Sequence, residues 1–286
     1  MHPGPFDLAV ILVFLAAFLA AGIWIRPFVR GIDDFTLAGR KAKLNLGLAS
    51  LAVTDFGPVT LVFAQQLGFT KGLAGASVGM LLGAVLYIVG RTGFIVGPLR
   101  RAGVTTLPEF LERRFGNKVR LFAGLLLVVG SILTMAAGAR CGAEFLAAGF
   151  GLASDWVPWI IAGLVSLALL YTFPGGMMSV LAIHFIQSIV LTAGLVVVSV
   201  VVISHFGWNR LVTHLWLCWD GTLAGAGQTL HSHPFNPFHS SSFGAARLAG
   251  QLLLQIVLAT VWQPALSRLL STHDEKVARQ TRSHYS

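Results

Sequence analysis

An ionisable side chain interrupts one of the long apolar runs of this sequence, next to two residues that break helices. The run 46–63 contains Thr54-Asp55-Phe56-Gly57-Pro58 near its middle. Pro58 removes a backbone donor and clashes with the preceding turn, and Gly57 is a poor helix former. A carboxylate in the middle of a membrane span costs at least ~2.5 kcal/mol unless its surroundings are polar. The pattern predicts a broken helix around a polar cavity; the alternative is a proline kink with Asp55 protonated or paired with a Ser or Thr.

The composition requires that the elements carrying this motif lie in a membrane. Apolar residues make up 55% of the 286 residues, charged residues make up 11%, and the mean hydropathy is +0.77. Several apolar runs reach the roughly 20 residues that a helix needs to cross a bilayer. Backbone groups cannot stay unpaired in lipid, and these runs are too uniformly apolar for barrel strands. We therefore predict an all-α membrane protein that forms one domain over 1–286.

The apolar runs divide the chain into about seven predicted transmembrane helices. A long connection, 206–243, separates the last two, and a polar tail, 271–286, follows the last. The run that begins at residue 6 is too long for a signal peptide and has no basic segment before it, so we interpret it as a retained helix. The predicted helices are 6–28, 45–66, 73–99, 119–149, 156–173, 178–205 and 244–270.

The basic residues predict the orientation of these helices. Of the 20 Lys and Arg, 15 fall in or next to the connections 26–43 and 100–120 and the C-terminal segment from Arg268 onwards. The alternate connections carry only Lys71 and Arg210. Basic residues accumulate on the cytoplasmic side of membrane proteins. We therefore expect a multi-pass protein of the cell membrane with its N-terminus outside and its C-terminus in the cytoplasm.

Other classes of function find little support in the sequence. The net charge of +9 is distributed among the connections, without the aromatic-interleaved basic patch of a nucleic-acid-binding protein. Cys141 and Cys218 form neither a disulfide framework nor a metal motif. The chain has no nucleophile–base motif, no phosphate-binding loop and no ion-selectivity filter. We therefore predict neither an enzyme nor a channel, and no cofactor.

A set of short motifs, in a fixed order, resembles the sodium/solute symporter family. The resemblance runs from about residue 33 to 280, and the spacing between motifs is kept. The motifs include Asp34-Phe35-Thr36-Leu37-Ala38-Gly39-Arg40, Thr106-Leu107-Pro108-Glu109-Phe110, Tyr171-Thr172-Phe173-Pro174-Gly175-Gly176-Met177 and Asp274-Glu275-Lys276-Val277-Ala278-Arg279.

This resemblance implies a LeuT-like fold of two inverted five-helix repeats, with the ligands bound where the first helix of each repeat is unwound. The helix 6–28 would be peripheral, and 45–205 would form the first repeat, with the broken helix 45–66 at its start. The helix 244–270 would begin the second repeat. The four helices that complete this repeat in the family lie outside the sequence, so we expect the chain to be truncated or completed by a second polypeptide.

The resemblance also implies the roles of particular residues. The backbone carbonyls of Val53 and Phe56 would bind sodium as the coupling ion, in a site that a later helix completes. Asp55, Thr60 and Gln255 would face the solute. Where the family usually has Thr-Asp before a Phe/Val-Ile-Gln motif, this chain has Ile183-His184, which removes an anion from the sodium site.

Three further positions depart from the pattern of sugar-carrying relatives. Polar contacts of the third helix are Leu81 and Ala84 here, and a gating tyrosine is Leu258. The resemblance therefore implies a sodium-coupled symporter that moves a small polar or anionic solute, with a sugar disfavoured. The alternative is a transport-incompetent truncated, split or degenerate member with a sensing or scaffold role.

Overall fold

The computed structural model describes residues 4–93, 96–219, 233–239 and 243–285, and this part of the chain is almost entirely helical. One isolated parallel bridge joins Ala42 and Thr272. Three short 3-10 segments occupy Arg26–Phe28, Ala38–Arg40 and Ser154–Trp156. The α-helices are α1 Pro5–Ile25, α2 Ile32–Leu37, α3 Leu44–Asp55, α4 Pro58–Lys71, α5 Leu73–Thr92, α6 Val96–Arg101, α7 Leu107–Phe115, α8 Asn117–Phe150, α9 Val157–Phe206, α10 Trp208–Trp219, α11 Ala245–Val261, α12 Gln263–Leu270 and α13 Glu275–Tyr285.

Several of these helices are long and apolar enough to cross a membrane. Among the described residues there are 4 such segments, or up to 6 if each of two bent helix pairs counts as one span. They are Ala9–Phe28, Leu73–Arg101, Asn117–Phe150 and Ser154–Phe206, with the bent pairs α3–α4 and α11–α12. The predicted all-α class with membrane-length helices is confirmed at this level.

The predicted break in the second span is confirmed. Helix α3 ends at Asp55, α4 begins at Pro58, and the two are bent by 64°. Gly57 between them is extended, with φ −82° and ψ 171°. Pro58 suits the first turn of α4 because the amide that it lacks would have no helical partner there. Helix α4 continues to Lys71, past the predicted end at residue 66.

The last predicted span, 244–270, is interrupted, as the resemblance to the family implied. Helices α11 and α12 meet at Trp262 with a bend of 50°, and Trp262 itself is extended, with φ −71° and ψ 98°. The resemblance implied that this helix is unwound but gave no position. Pro264 in the first turn of α12 was the signal that the sequence analysis missed.

Helix α9 covers both the fifth and the sixth predicted spans. It runs for 50 residues and leaves helical geometry at Gly176, with φ 51° and ψ −139°. A Cβ atom on Gly176 would lie 2.4 Å from the carbonyl oxygen of Phe35 in α2. The predicted gap at 174–177 is therefore a single non-helical residue, and glycine is required there by both its φ and the close approach.

Two segments predicted as irregular contain helices. The connection 206–243 includes α10, and the tail 271–286 includes α13; residues 220–232 and 240–242 of the connection lie outside the described part. Ala278 of α13 is fully buried against Leu51 and Leu269, and Thr281 packs against Gly47. The packing of α13 explains why that helix was missed, because short amphipathic segments depend on tertiary packing for their stability.

The connection before α7 is built around a helix cap. The Thr106 hydroxyl accepts a hydrogen bond from the Glu109 N–H at 3.4 Å. The Glu109 carboxylate accepts bonds from the Thr105 N–H at 2.7 Å and the Thr105 hydroxyl at 2.9 Å. The bond from the Thr105 N–H holds the pKa of Glu109 below its ordinary value, which favours the charged carboxylate at the positive end of the helix.

Arg100, in α6, connects the segment before α7 to the C-terminal end of α12. Its guanidinium donates to the carbonyls of Leu269, Leu270, Thr272 and His273 at 2.7–3.4 Å. The last carbonyls of a helix have no helical partner, so Arg100 satisfies the orphan groups at the C-terminus of α12.

Replacing Gly176 with alanine is expected to destabilise the protein. A non-glycine residue at positive φ costs about 1–2 kcal/mol, and the contact with Phe35 adds to that cost. The melting temperature in detergent should therefore fall. Gly163→Ala is the matched control, because Gly163 lies in the same helix and its added Cβ would meet nothing within 4 Å. Equal melting temperatures for the two variants would contradict the assigned role of Gly176.

Candidate functional site

A cavity lies where the two bent helix pairs meet. Its volume is about 700 Å³, and it contains all three residues that the resemblance assigned to the solute, Asp55, Thr60 and Gln255. It is bordered by both breaks, through Phe56 on one side and Trp262 on the other. The remaining lining residues come from α5, α8 and α11 and are Gly79, Leu82, Gly83, Leu86, Thr134, Leu258 and Ala259.

The lining combines a mostly apolar wall with a few polar groups. Asp55 is the ionisable residue in the lining, and Thr60, Thr134 and Gln255 add hydrogen-bonding groups. Phe56 and Trp262 supply aromatic surfaces. Pockets for small molecules typically have this character, with apolar walls for affinity and a few polar groups for orientation. The cavity is large enough for a solute the size of an amino acid or a monosaccharide.

Two of the three positions that differ from sugar-carrying relatives, Leu258 and Leu81, lie in different parts of the structure. Leu258 lines the cavity. Leu81 instead packs against the buried cluster of Ala74, Val78, Phe243 and Leu248. Of the two, only Leu258 therefore contributes an apolar surface in place of a polar one.

Thr60 also holds the first break in shape. Its hydroxyl donates to the carbonyl of Asp55 at 2.7 Å, which connects the start of α4 to the end of α3. The amide of Phe56 donates to the carbonyl of Ala52 at 3.0 Å and closes the last turn of α3. A carbonyl left without a helical partner in a membrane must be satisfied in another way, and the Thr60 hydroxyl does this for Asp55.

The predicted sodium ligands lie on the other side of the same break. Val53 and Phe56 line a separate sodium-side pocket of about 400 Å³, together with Gly57, Pro58 and Gln187. Phe56 borders both pockets. The carbonyls at the end of α3 point past the last helical turn, and Pro58 offers no N–H to bond that of Thr54. Carbonyl oxygens at a helix end are suitable ligands for a hard cation such as sodium.

His184 lies close to this break and is hydrogen-bonded. The distance between its Nδ1 and the Ser50 hydroxyl oxygen of α3 is 2.9 Å. The bond links α9 to α3 one turn before the unwound residues. His184 therefore contributes packing between these helices at the position where the family usually has an acidic residue.

The structure gives a particular position to Arg268, which the sequence analysis counted with the basic C-terminal segment. The structure places it within α12, half-buried, where its Nη1 donates to the Pro264 carbonyl at 2.7 Å. It lies within electrostatic range of Asp55, Tyr171 and His184. An arginine flanked by Leu266 and Leu270 was the available signal, since charges inside apolar segments of membrane proteins mark functional sites.

The chain is similar to known transporters over most of its length. The high-affinity proline transporter PutP of Bacillus subtilis is 30% identical over 198 residues, a match that covers 66% of this chain and 41% of that protein. Sodium/glucose cotransporter 4 of Danio rerio is 29% identical over 265 residues, which covers 90% of this chain and 39% of that protein.

A solved structure shares the fold. The substrate-bound, outward-open state of a Na+-coupled sialic acid symporter matches with a TM-score of 0.79 and 22% identity, over 98% of this chain and 56% of that one. At this level of identity the match establishes that the two chains share a fold.

The model of the sodium:solute symporter family matches residues 35–284. The chain belongs to the sodium:solute symporter family. It spans 32–39% of the length of three similar curated relatives, all solute carriers or sodium/glucose cotransporters.

Proposed function

We propose that this chain provides the solute cavity of a sodium-coupled symporter that moves a small solute across the cell membrane. The observation that carries the proposal is the cavity of about 700 Å³ between two broken helices, with Asp55, Thr60 and Gln255 in its wall. A polar group within a membrane is costly unless it binds something, and unwound helices in transporters are where solutes and ions bind.

The proposed architecture has seven spans. Dividing α9 at Gly176 gives two segments that are each long enough to cross the ~30 Å hydrocarbon core, whereas 50 helical residues would extend about 75 Å. With α1, the two bent pairs, α5 and α8, this division gives the predicted number. In this arrangement α1 is peripheral, α3 to α9 form the first repeat of a LeuT-like fold, and α11–α12 begin the second.

The residues of the cavity wall limit which classes of solute can bind. Asp55 disfavours an anion, which argues against the anionic solutes that the sequence analysis allowed. Leu258 supplies an apolar surface where sugar-carrying relatives have a tyrosine, which argues against a sugar. We therefore favour a small neutral or positively charged solute that carries hydrogen-bond donors, with Gln255 and Thr134 as further partners.

Sodium would bind at the carbonyls of Val53 and Phe56, with ligands from a later helix completing the site. The bond between His184 and Ser50 favours a second candidate, a member of the family that has lost sodium-coupled transport and acts as a sensor or scaffold. The two candidates differ in one measurable property, which is whether sodium changes the stability of the protein and its binding of solute. A second polypeptide that completes the fold is compatible with both.

Asp55→Asn is expected to weaken ligand binding by the purified chain. In wild type, proline or another small amino acid should raise the melting temperature in NaCl more than in KCl, since a ligand that binds only the folded state stabilises it. The variant should lose most of this shift because it lacks the anion in the cavity wall. Gln251→Ala is the control, because Gln251 lies on α11 outside the lining of the cavity. Equal shifts in wild type and Asp55→Asn would contradict the assignment of Asp55.

His184→Asp is expected to strengthen sodium binding. The substitution restores an anion near the carbonyls of Val53 and Phe56, so the sodium concentration at half-maximal stabilisation should fall about tenfold for a gain of ~1.4 kcal/mol. His184→Asn supplies the matched neutral control. A sodium dependence that is the same in both variants would support the non-transporting alternative.

The proposed orientation can be tested by labelling. Arg114, exposed at the end of α7, should face the cytoplasm, so Arg114→Cys should react with an impermeant maleimide in inside-out vesicles but not in intact cells. Trp208→Cys, at the exposed start of α10, should show the reverse pattern. Both endogenous cysteines, Cys141 and Cys218, are replaced by serine beforehand. Labelling of Arg114→Cys in intact cells would reverse the assigned orientation.

A further inference from the structure

We propose that Trp262 is the inner gate of the solute path. Its indole closes one end of the solute cavity, and its displacement would connect that cavity to a second chamber on the side of α7. The inference rests on the proposed function, because it assigns a moving part to the same cavity. It also replaces the gate position that the resemblance placed at Leu258.

The second chamber adjoins the solute cavity. Its volume is about 390 Å³, and it shares Thr134, Leu258 and Trp262 with the cavity of about 700 Å³. Its other lining residues include the polar side chains of Thr54, Ser131 and Gln263. Two spaces that share a boundary become one path when the residue between them moves.

The direction of the second chamber follows from its neighbours. Gln263, in its wall, accepts a hydrogen bond at 3.4 Å from the N–H of Leu107, the first residue of α7. Four of its six α8 residues, from Leu126 to Ser131, lie nearer the start of α8 than Thr134, the one α8 residue in the solute cavity. Helix α7 belongs to the basic connection that we assign to the cytoplasmic side. The chamber therefore leads from the middle of the membrane towards that side.

Trp262 is the one of the three shared residues that lies outside a helix. It ends α11 and precedes α12, with φ −71° and ψ 98°. Its N–H donates to the Leu258 carbonyl at 3.0 Å, and its carbonyl accepts from the Leu266 N–H at 3.1 Å. Thr134, by contrast, lies within α8 and its hydroxyl is bonded to the Gly130 carbonyl at 2.8 Å. A change in the angle between α11 and α12 would move the indole first.

The indole also rests on the packed core beneath the cavity. Trp262 is half-buried against a cluster formed by Leu51, Val96, Ala265, Leu269 and Ala278. These residues come from α3, α6, α12 and α13, so the same contact joins the break to the helices on the basic side. Separation of α13 from this cluster would remove the support of the indole. The gate is thereby coupled to the packing of the helices that close the cytoplasmic end.

The test measures access to the second chamber through the solute cavity. In the full chain without Cys141 and Cys218, a Thr54→Cys reporter lies in the second chamber and a Thr60→Cys reporter in the solute cavity. A small impermeant methanethiosulfonate reagent is added from the side that labels Thr60→Cys. Trp262→Ala should raise the labelling rate of Thr54→Cys about tenfold, the factor for removing a barrier of ~1.4 kcal/mol, and leave that of Thr60→Cys unchanged.

Two further variants make the result decisive. Trp262→Phe retains an aromatic ring, so the reagent should label Thr54→Cys in that variant at close to the wild-type rate. Leu258→Ala should change this labelling rate little. An unchanged rate in Trp262→Ala, or an equal increase in Leu258→Ala, would overturn the proposal. If Trp262→Ala also raises the labelling rate of Thr60→Cys, the substitution has unfolded the protein. The milder variant Trp262→Leu is then judged by the same two labelling rates, that of Thr54→Cys and that of Thr60→Cys. No sodium or solute is added, so the outcome is independent of the melting-temperature shifts that test the proposed function.

Discussion

Every backbone amide and carbonyl within a membrane needs a hydrogen-bonding partner, and the arrangement of this protein depends on how that requirement is met at two interrupted helices. Where α3 ends, the Thr60 hydroxyl satisfies the Asp55 carbonyl, and Pro58 has no amide to leave unsatisfied. At the second break, the Trp262 N–H donates to the Leu258 carbonyl and the Trp262 carbonyl accepts from the Leu266 N–H, so the backbone stays bonded through the bend. Because these partners are supplied locally, the chain can stay unwound at mid-membrane, and both breaks open onto one cavity.

The charges near the breaks form a small group whose balance determines what the site can bind. Asp55 lies in the cavity wall, and Arg268 lies behind it within α12, within electrostatic range. His184, where the family usually has an acidic residue, is bonded to Ser50. The net charge that a solute or cation meets in the cavity therefore depends on Asp55 together with the arginine behind it.

The same residues connect the cavity to the helices of the basic side. Trp262 lines both the solute cavity and the second chamber and packs on the cluster that includes Ala278 of α13. Packed cores change between discrete arrangements rather than deforming continuously. A bulky side chain at a non-helical residue, supported by such a core, is suited to alternate between a closed and an open position.

The sequence alone determined the membrane class, the first break and the family, because apolar run length, Pro58 beside Asp55 and an ordered set of motifs are local properties. Only the tertiary structure decided the bend at Trp262, the helices α10 and α13, and the position of Arg268. A short amphipathic helix and a buried arginine exist through contacts with distant segments, as when α13 packs under α3 and α12. An amphipathic pattern in so short a segment does not show which neighbours it packs against, so the sequence could suggest which residues face the solute but not which segments surround their cavity.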